Sequence, residues 1–327
     1  MTVQLATRIL KADRDAIGAA ARCLAAGGLV AFPTETVYGL GADATNGEAV
    51  ARLYAAKGRP AFNPLISHLP DLAAARTLAH FNDEADRLAQ AFWPGPLTLV
   101  LPKRPDCPVA ELATAGLDTI GLRVPDHAVA RDILTAFGRP VVAPSANISG
   151  HVSPTDAAHV MADLQGRIDL VIDGGPAMVG VESTIIACLD EPTLLRPGGI
   201  ARETIENSLG HPLRVAPEAQ NPSAEEAPLA PGMLNSHYAP RATIRLNATE
   251  THDGEALLAF GRAPTAHAAA MRNLSERGDL VEAAANLFSH LRALDASGAK
   301  TIAVMPIPHE GLGEAINDRL QRAAAPR

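Results

Sequence analysis

Short apolar runs alternate with amphipathic helical patterns over the N-terminal part of the chain, and this alternation restricts the possible folds most. Residues 29–32 form one such run, which ends at Pro33 and follows a helical pattern over residues 13–26. Short apolar runs between helices are typical of buried strands in an α/β sheet. The sequence predicts further strands at residues 97–101, 120–124, 140–143, 170–173, 183–189 and 193–196, and further helices at residues 47–56, 83–92, 128–137 and 154–164. This order predicts a twisted mixed sheet with helices.

A proline-rich and acidic segment at residues 205–240 divides the chain. Such a composition is typical of an extended linker, and a chain of 327 residues is longer than one hydrophobic core usually serves. We therefore predict a larger α/β domain at residues 1–204, a linker at residues 205–240 that contacts its site, and a smaller domain at residues 241–327. The smaller domain is predicted to have a βαβ, Rossmann-like fold, with strands at residues 243–246, 256–260 and 301–305 and helices at residues 280–294 and 313–324.

Charge and composition exclude several classes of protein. The net charge is −8 and aromatic residues make up 3% of the chain, which argues against a general nucleic-acid surface or a stacking platform for single strands. The three cysteines are far apart, so neither a zinc knuckle nor a disulfide framework is indicated. No uninterrupted apolar stretch resembles a signal peptide or a membrane span, and we predict a cytoplasmic protein without a membrane partner.

Hydroxyl-bearing side chains follow the predicted strand at residues 29–32. Ligands in open α/β sheets bind beyond strand ends, so the hydroxyls of Thr34 and Thr36 are placed to hold one. The alternative is a loop in which these hydroxyls only satisfy backbone groups. Gly39 and Gly41 do not belong to a dinucleotide fingerprint, and no phosphate-binding P-loop motif occurs, so a nucleotide would have to bind without either.

Lys57 and Arg59 flank a glycine at the end of a predicted helix and precede Asn63 and His68. Cations at a helix end can simply complement the helix dipole. The prolines that follow would nevertheless hold the pair rigidly, and a fixed Lys/Arg pair suits phosphate binding. The sequence therefore predicts an anion site here. His68 by itself is a weak signal.

Further polar residues lie within or beyond later strands. Arg123 points away from the apolar face of its strand, so it either pairs with a buried carboxylate or binds the carboxylate of a substrate. Ser145 and Asn147 share one side of an extended loop, so they are predicted to line the same anion site as Lys57 and Arg59. Tyr238, in the linker, could fold back over a nucleotide base or could only fix the linker to the first domain.

Taken in order, these segments resemble the threonylcarbamoyl-AMP synthase family in its long form, which has a YrdC-type domain and a smaller C-terminal domain. The matching motifs are PTETVYGLG at 33–41, KGRP at 57–60, NPL at 63–65, WPGPLT at 93–98, LRVP at 122–125, APSAN at 143–147, GVEST at 180–184, RPG at 196–198, HYAP at 237–240 and GLGEAINDRL at 311–320. The resemblance implies an adenylyltransferase that joins threonine, bicarbonate or carbon dioxide, and ATP into threonylcarbamoyl-AMP, with release of pyrophosphate.

The resemblance also implies residue roles. Threonine would be bound by Thr36, His68, Arg123, Ala143 and Ser183, with the carboxylate on Arg123 and only backbone from Ala143. ATP would be bound by Arg59, Asn63, Thr119, Ser145, Asn147, Ser153, Arg196 and Tyr238. Lys57 and Arg59 would act in catalysis by cancelling phosphate charge, together with Mg²⁺ that accompanies ATP and has no direct protein ligand. The product would pass to the machinery that modifies tRNA, with tRNA at most an indirect partner.

Two alternatives compete with an enzyme of this family. The first is an RNA-binding module of the YrdC type, which the acidic net charge disfavours. The second is a carbamoyl-transfer domain like that of hydrogenase maturation proteins, whose additional cysteine-rich zinc regions the three scattered cysteines cannot supply. A purely structural role would leave the polar strand ends unexplained.

Overall fold

The structure of the chain is a computed structural model, which describes residues 5–216, 229, 238–263 and 268–326. The described strands are β1 Arg8–Lys11, β2 Val30–Pro33, β3 Tyr38–Asp43, β4 Ile66–His68, β5 Leu97–Pro102, β6 Thr119–Arg123, β7 Val141–Val142, β8 Leu170–Asp173, β9 Thr184–Ala187, β10 Thr193–Arg196, β11 Arg214–Val215, β12 Thr243–Arg245, β13 Ala256–Ala259, β14 Ala270–Asn273 and β15 Thr301–Val304. The described helices are α1 Arg14–Ala25, α2 Gly47–Lys57, α3 Leu72–Arg76, α4 Asp83–Phe92, α5 Glu111–Thr114, α6 Ala128–Phe137, α7 Ala157–Leu164, α8 Arg202–Leu209, α9 Leu280–Ala296 and α10 Gly313–Ala324.

The first domain is built on one large mixed sheet. Its eleven described strands run in the order β1-β8-β2-β3-β7-β4-β6-β5-β9-β10-β11. Parallel pairs such as β4 with β6 alternate with antiparallel pairs such as β5 with β6. This confirms the predicted α/β fold with a mixed sheet and helices. The main core lies between the sheet and α2, α4 and α7, and a second apolar cluster joins α1 and α6 to β2 and β8.

The sequence predicted no strand directly after residues 29–32, but the structure has one. β2 ends at Pro33, a tight turn follows, and Tyr38–Asp43 returns as the antiparallel strand β3. The two glycines allow this close packing: a Cβ on Gly41 would lie 2.7 Å from the ring of Phe32, and one on Gly39 would lie 3.2 Å from Ala143. A glycine-rich, fully buried strand has little of the apolar pattern by which strands are recognised.

The start of the predicted linker also needs correction. Residues from 205 belong to packed elements, because α8 buries Ile205 and Leu209 and β11 pairs in parallel with β10. The described part of the first domain therefore extends to residue 216. Most of the remaining predicted linker lies outside the described residues, and it re-enters the described part of the chain at Tyr238.

The second domain has its own parallel sheet, with the strand order β12-β15-β13-β14, and packs α9 and α10 around a separate core. This confirms the predicted smaller α/β domain. Val37, Val152 and Val181 of the first domain belong to the same apolar cluster, so the two domains are docked. The contact is close: a Cβ on Gly180 would lie 2.3 Å from the Ala284 carbonyl of α9. Among the described residues, no helix is long and apolar enough to cross a membrane.

Candidate active site

A small cavity opens where the turn after β2, the ends of β4, β6 and β7, and the starts of β9 and the second domain meet. Its volume is about 50 Å³, much less than the several hundred Å³ of a typical small-molecule pocket, so a ligand of that usual size requires a wall to move. The side chains that line it are mostly polar or cationic: Val37, Arg59, Ile66, His68, Arg123, Ala143, Pro144, Ser145, Glu182, Ser183, Arg196 and Tyr238. The structure thus brings together eight of the predicted site residues, namely Arg59, His68, Arg123, Ala143, Ser145, Ser183, Arg196 and Tyr238.

Arg123 and His68 lie side by side on neighbouring parallel strands, where they are register partners. The sequence left two roles open for Arg123, and the structure shows the first of them: its Nη2 lies 2.7 Å from the Oε1 of Glu35, with both side chains 5% exposed. Arg123 also faces the cavity, so its guanidinium remains available to a ligand. Burial, reinforced by Arg123, lowers the pKa of His68 to about 3, which keeps the imidazole neutral.

Arg59 reaches the cavity from the rigid turn after α2. Its guanidinium donates to the Pro64 carbonyl at 3.0 Å and more weakly to that of Asn63 at 3.4 Å. The Asn63 carbonyl also accepts the hydroxyl of Tyr54 at 3.0 Å. These contacts fix Arg59 before any ligand arrives. Asn63 itself is buried beside Arg59 but does not line the cavity.

The sequence predicted that Lys57 lines one anion site with Ser145 and Asn147, but neither Lys57 nor Asn147 lines the cavity. The Lys57 ammonium donates to the carbonyls of Ser145 and Asn147, at 2.5 and 2.6 Å, from a side chain that is buried. Burial and the neighbouring Arg59 lower its pKa well below the usual value. Lys57 thus ties α2 to the loop that carries Ser145. The amide of Asn147 donates to the Ile148 and His151 carbonyls and shapes the same loop.

Two segments, one before β9 and one at the end of β10, form one wall of the cavity. Arg196 donates to the Ser183 carbonyl at 2.8 Å, and the Ser183 hydroxyl lies 2.7 Å from that of Thr98. Gly198 lets the segments touch, because a Cβ there would lie 2.4 Å from the Glu182 carbonyl. The motifs GVEST and RPG are therefore adjacent parts of one wall.

The other predicted residues lie behind the cavity or away from it. The Thr34 hydroxyl donates a hydrogen bond to the Val37 carbonyl at 2.6 Å and lies 2.8 Å from the Thr36 hydroxyl. Thr34 therefore satisfies backbone groups of its own turn, which was the alternative to ligand binding. Ser153 is fully buried and donates to Glu182 at 2.5 Å. Thr119 begins β6, four residues before Arg123, and does not line the cavity.

Sequence reasoning missed two acidic side chains and one arginine at the site. Glu35 and Glu182 each pair with an arginine, Glu35 with Arg123 and Glu182 with Arg319. Arg319 comes from α10 of the second domain and is fully buried. Its position was detectable, because it lies on the apolar face of that helix with Ile316. A charge on such a face requires a buried partner.

Three arginines around a hydroxyl-lined cavity, in a mixed α/β domain docked to a smaller parallel one, define a two-domain protein whose site is suited to small anions. The profile of the family described as "Telomere recombination" matches residues 22–198, and that described as "Threonylcarbamoyl-AMP synthase, C-terminal domain" matches residues 200–325. The chain belongs to the threonylcarbamoyl-AMP synthase family, in its two-domain form.

Relatives with that name cover nearly the whole chain. The threonylcarbamoyl-AMP synthase of Bacillus subtilis is 41% identical over 97% of this chain and 95% of its own length. That of Pyrococcus abyssi is 43% identical over 92% of each. The crystal structure of P. abyssi Sua5 complexed with L-threonine superposes with a TM-score of 0.88 at 39% identity, over 97% of both chains. The RNA-binding alternative is therefore not favoured.

The buried, neutral His68 makes stability depend on pH. Its native pKa of about 3 lies below the unfolded value of 6.5, so the unfolded state binds the extra proton and the native state loses stability as the pH falls from 6.5 towards 3. We expect the free energy of unfolding of wild type minus that of His68→Gln to fall by about 3 kcal/mol between pH 7 and pH 4.5. Urea denaturation at each pH measures the free energies of unfolding. His80→Gln is the control, because His80 is exposed. A difference that stays constant with pH would contradict a neutral His68.

Proposed function

We propose that the chain is an L-threonylcarbamoyladenylate synthase. Threonine and bicarbonate, or carbon dioxide, form a carbamate, and a carboxylate oxygen of that carbamate attacks the α-phosphorus of ATP. The bond to the β-phosphate breaks, pyrophosphate leaves and threonylcarbamoyl-AMP remains. The observation that carries this proposal is the gathering of Arg59, Arg123 and Arg196 around one cavity in a chain of this family.

The arginines address the main difficulty of this reaction, which is the repulsion between a carboxylate and a polyphosphate. In the proposal, Arg123 binds the threonine carboxylate, while Arg59, Arg196 and the Ser145 hydroxyl surround the phosphates. Their guanidinium groups are already held by backbone carbonyls or a carboxylate, so little reorganisation is needed when charge develops. The neutral His68 and the hydroxyl of Ser183 offer hydrogen bonds for the rest of the threonine molecule.

Mg²⁺ enters this proposal as the counter-ion of the ATP phosphates. The two carboxylates nearest the cavity are unsuited to hold it, because Glu35 is paired with Arg123 and Glu182 accepts hydrogen bonds from Ser153 and Arg319. When bound with ATP, the metal would neutralise part of the phosphate charge. The residues of the chain then supply orientation and the remaining positive charge.

The further consequences of the reaction extend the same proposal. In this proposal, a separate transfer machinery uses threonylcarbamoyl-AMP to modify tRNA. tRNA itself is then at most an indirect partner of this chain. A cytoplasmic location, where tRNA is modified, stays a prediction. The acidic net charge of −8 supports small-molecule binding over direct binding of tRNA.

The test is incubation of the purified chain with ATP, Mg²⁺, bicarbonate and single amino acids, with pyrophosphate as the readout. We expect release with threonine, weaker release with serine, and the least with valine. A site that hydrogen-bonds the hydroxyl leaves its polar groups unpaired when valine binds, whereas serine loses only a methyl contact. Release that does not depend on threonine would overturn the proposal, and equal rates with valine and threonine would contradict the hydroxyl contact.

A further inference from the structure

The second domain inserts one charged side chain into the wall of the cavity. Arg319 on α10 is fully buried, and its Nε lies 2.8 Å from the Oε2 of Glu182, a residue of the first domain. Its Nη2 donates to the Pro197 carbonyl at 3.0 Å. One guanidinium therefore holds both wall segments, the one that carries Ser183 and the one that carries Arg196.

Glu182 is the residue through which this contact reaches the cavity. Its Oε1 accepts the hydroxyl of Ser153 at 2.5 Å, and the residue lines the cavity. Burial would raise the pKa of Glu182, but Arg319 and Arg196 outweigh it and keep the pKa below its usual value. A negative charge thus lies in the wall of a site for anions, and Arg319 is the arginine that bonds its carboxylate directly.

Tyr238 is held by the same group of residues. Its backbone has a φ of +61°, in the left-handed region. This conformation is unfavourable for any residue other than glycine and persists only where surrounding contacts enforce it. Its ring stacks on Phe288 of α9 at 5.6 Å between centroids, and the Arg319 guanidinium lies 5.2 Å from the centre of the ring. The second domain therefore fixes the cavity wall at Tyr238 as well as at Glu182.

We propose that Arg319 is a positioning residue for the nucleotide: it cancels the charge of Glu182 and fixes the wall that carries Ser153, Arg196 and Tyr238. This inference rests on the proposed function, because it assumes that ATP occupies the cavity. It gives the second domain a specific role, since Arg319 of that domain bonds the Glu182 carboxylate directly. Arg319 acts through Glu182 and Pro197 and does not need to touch ATP.

The experiment compares Arg319→Met, Arg319→Lys and the double variant Arg319→Met/Glu182→Gln. Glu314→Gln is the matched control, because Glu314 lies on the same helix and forms an ion pair with Arg202 of the first domain, away from the cavity. ATP affinity is measured directly by equilibrium dialysis with Mg²⁺. The KM values for ATP and threonine are then measured in the pyrophosphate assay, each at saturating co-substrate.

We expect Arg319→Met to weaken ATP binding about 10- to 100-fold, at the lower end of the effects seen for close charge pairs, with a threonine KM within about threefold of wild type. Arg319→Lys keeps the charge and should lose about tenfold or less. The double variant removes both charges, and the amide oxygen that Glu182→Gln introduces can still accept the Ser153 hydroxyl. Because the contact of Arg319 with the Pro197 carbonyl stays lost, this variant should recover part of the ATP affinity. Glu314→Gln should match wild type.

Several results would overturn the inference. One is an equal rise of both KM values in Arg319→Met, and another is a double variant that binds ATP no better than Arg319→Met. A Glu314→Gln variant as impaired as Arg319→Met would show that docking of the domains alone matters. If wild type binds ATP but releases no pyrophosphate, the proposed function fails while the dialysis series still tests Arg319. If wild type binds no ATP, both fail.

Discussion

Replacing Arg123 with methionine is expected to destabilise the protein by about 3–5 kcal/mol and to raise the KM for threonine about 100-fold. The stability loss arises because Glu35, 5% exposed and 2.7 Å from Arg123, would become a buried carboxylate without its counter-charge. The KM effect arises because, in the proposed function, Arg123 binds the substrate carboxylate by a charge-assisted hydrogen bond. The KM for ATP should stay within about threefold.

The double variant Arg123→Met/Glu35→Gln separates these two effects. Without the buried negative charge, most of the stability should return, whereas the threonine KM should remain high. Arg139→Met is the matched control, since Arg139 also pairs with a buried carboxylate, that of Asp43, but does not line the cavity. It should lower stability and leave both KM values unchanged. Urea denaturation and initial rates measure these quantities, and recovery of wild-type threonine KM in the double variant would contradict the assignment.

Replacing Lys57 with methionine is expected to reduce kcat/KM for ATP by about 100-fold or more. The substitution removes the donor for the Ser145 and Asn147 carbonyls, and a buried acceptor left unpaired costs about 1–3 kcal/mol. The loop would then no longer hold the Ser145 hydroxyl at the cavity. Relief from burying an ammonium, whose pKa the site lowers, offsets part of the stability loss, so activity should change more than stability.

Hydrogen exchange tests whether Lys57 acts through the loop. In Lys57→Met, backbone amides of residues 145–150 should exchange faster, while those of the remaining sheet keep their protection. Lys103→Met is the matched control, because Lys103 also donates to a backbone carbonyl, that of Leu117, but does so outside the cavity. Unchanged exchange in the loop together with lost activity would show that Lys57 contacts ATP directly.

The sequence predicted best those helices that have a capping residue at one end. The helices at residues 83–92 and 128–137 begin and end as predicted, because Asn82 caps the first and Gly138, in the left-handed region, ends the second. Strand β3 was missed, since glycines replace the apolar residues by which a strand is recognised. Strand β4 has only three residues, too few for a periodic pattern.

Within the site, residue types predicted the chemistry of the cavity but not its geometry. Lys57 and Arg59 are equivalent in sequence as a cationic pair, yet the structure uses Lys57 to hold a loop and turns Arg59 into the cavity. The partner of Arg319 could not be predicted, because Glu182 is 137 residues away in the chain. Pairings over such distances depend on how the two domains dock, which short motifs do not encode.

The most direct test of the proposed function follows the carbon of bicarbonate and the phosphates of ATP in one reaction. Wild-type protein is incubated with ATP, Mg²⁺, threonine and ¹³C-bicarbonate, and the products are separated and identified by mass spectrometry. The proposed function predicts threonylcarbamoyl-AMP that carries one ¹³C, formed in equal amounts with pyrophosphate, and no such product from Arg123→Met at low threonine. Production of ADP and phosphate, or of an adenylate without the ¹³C, would contradict it.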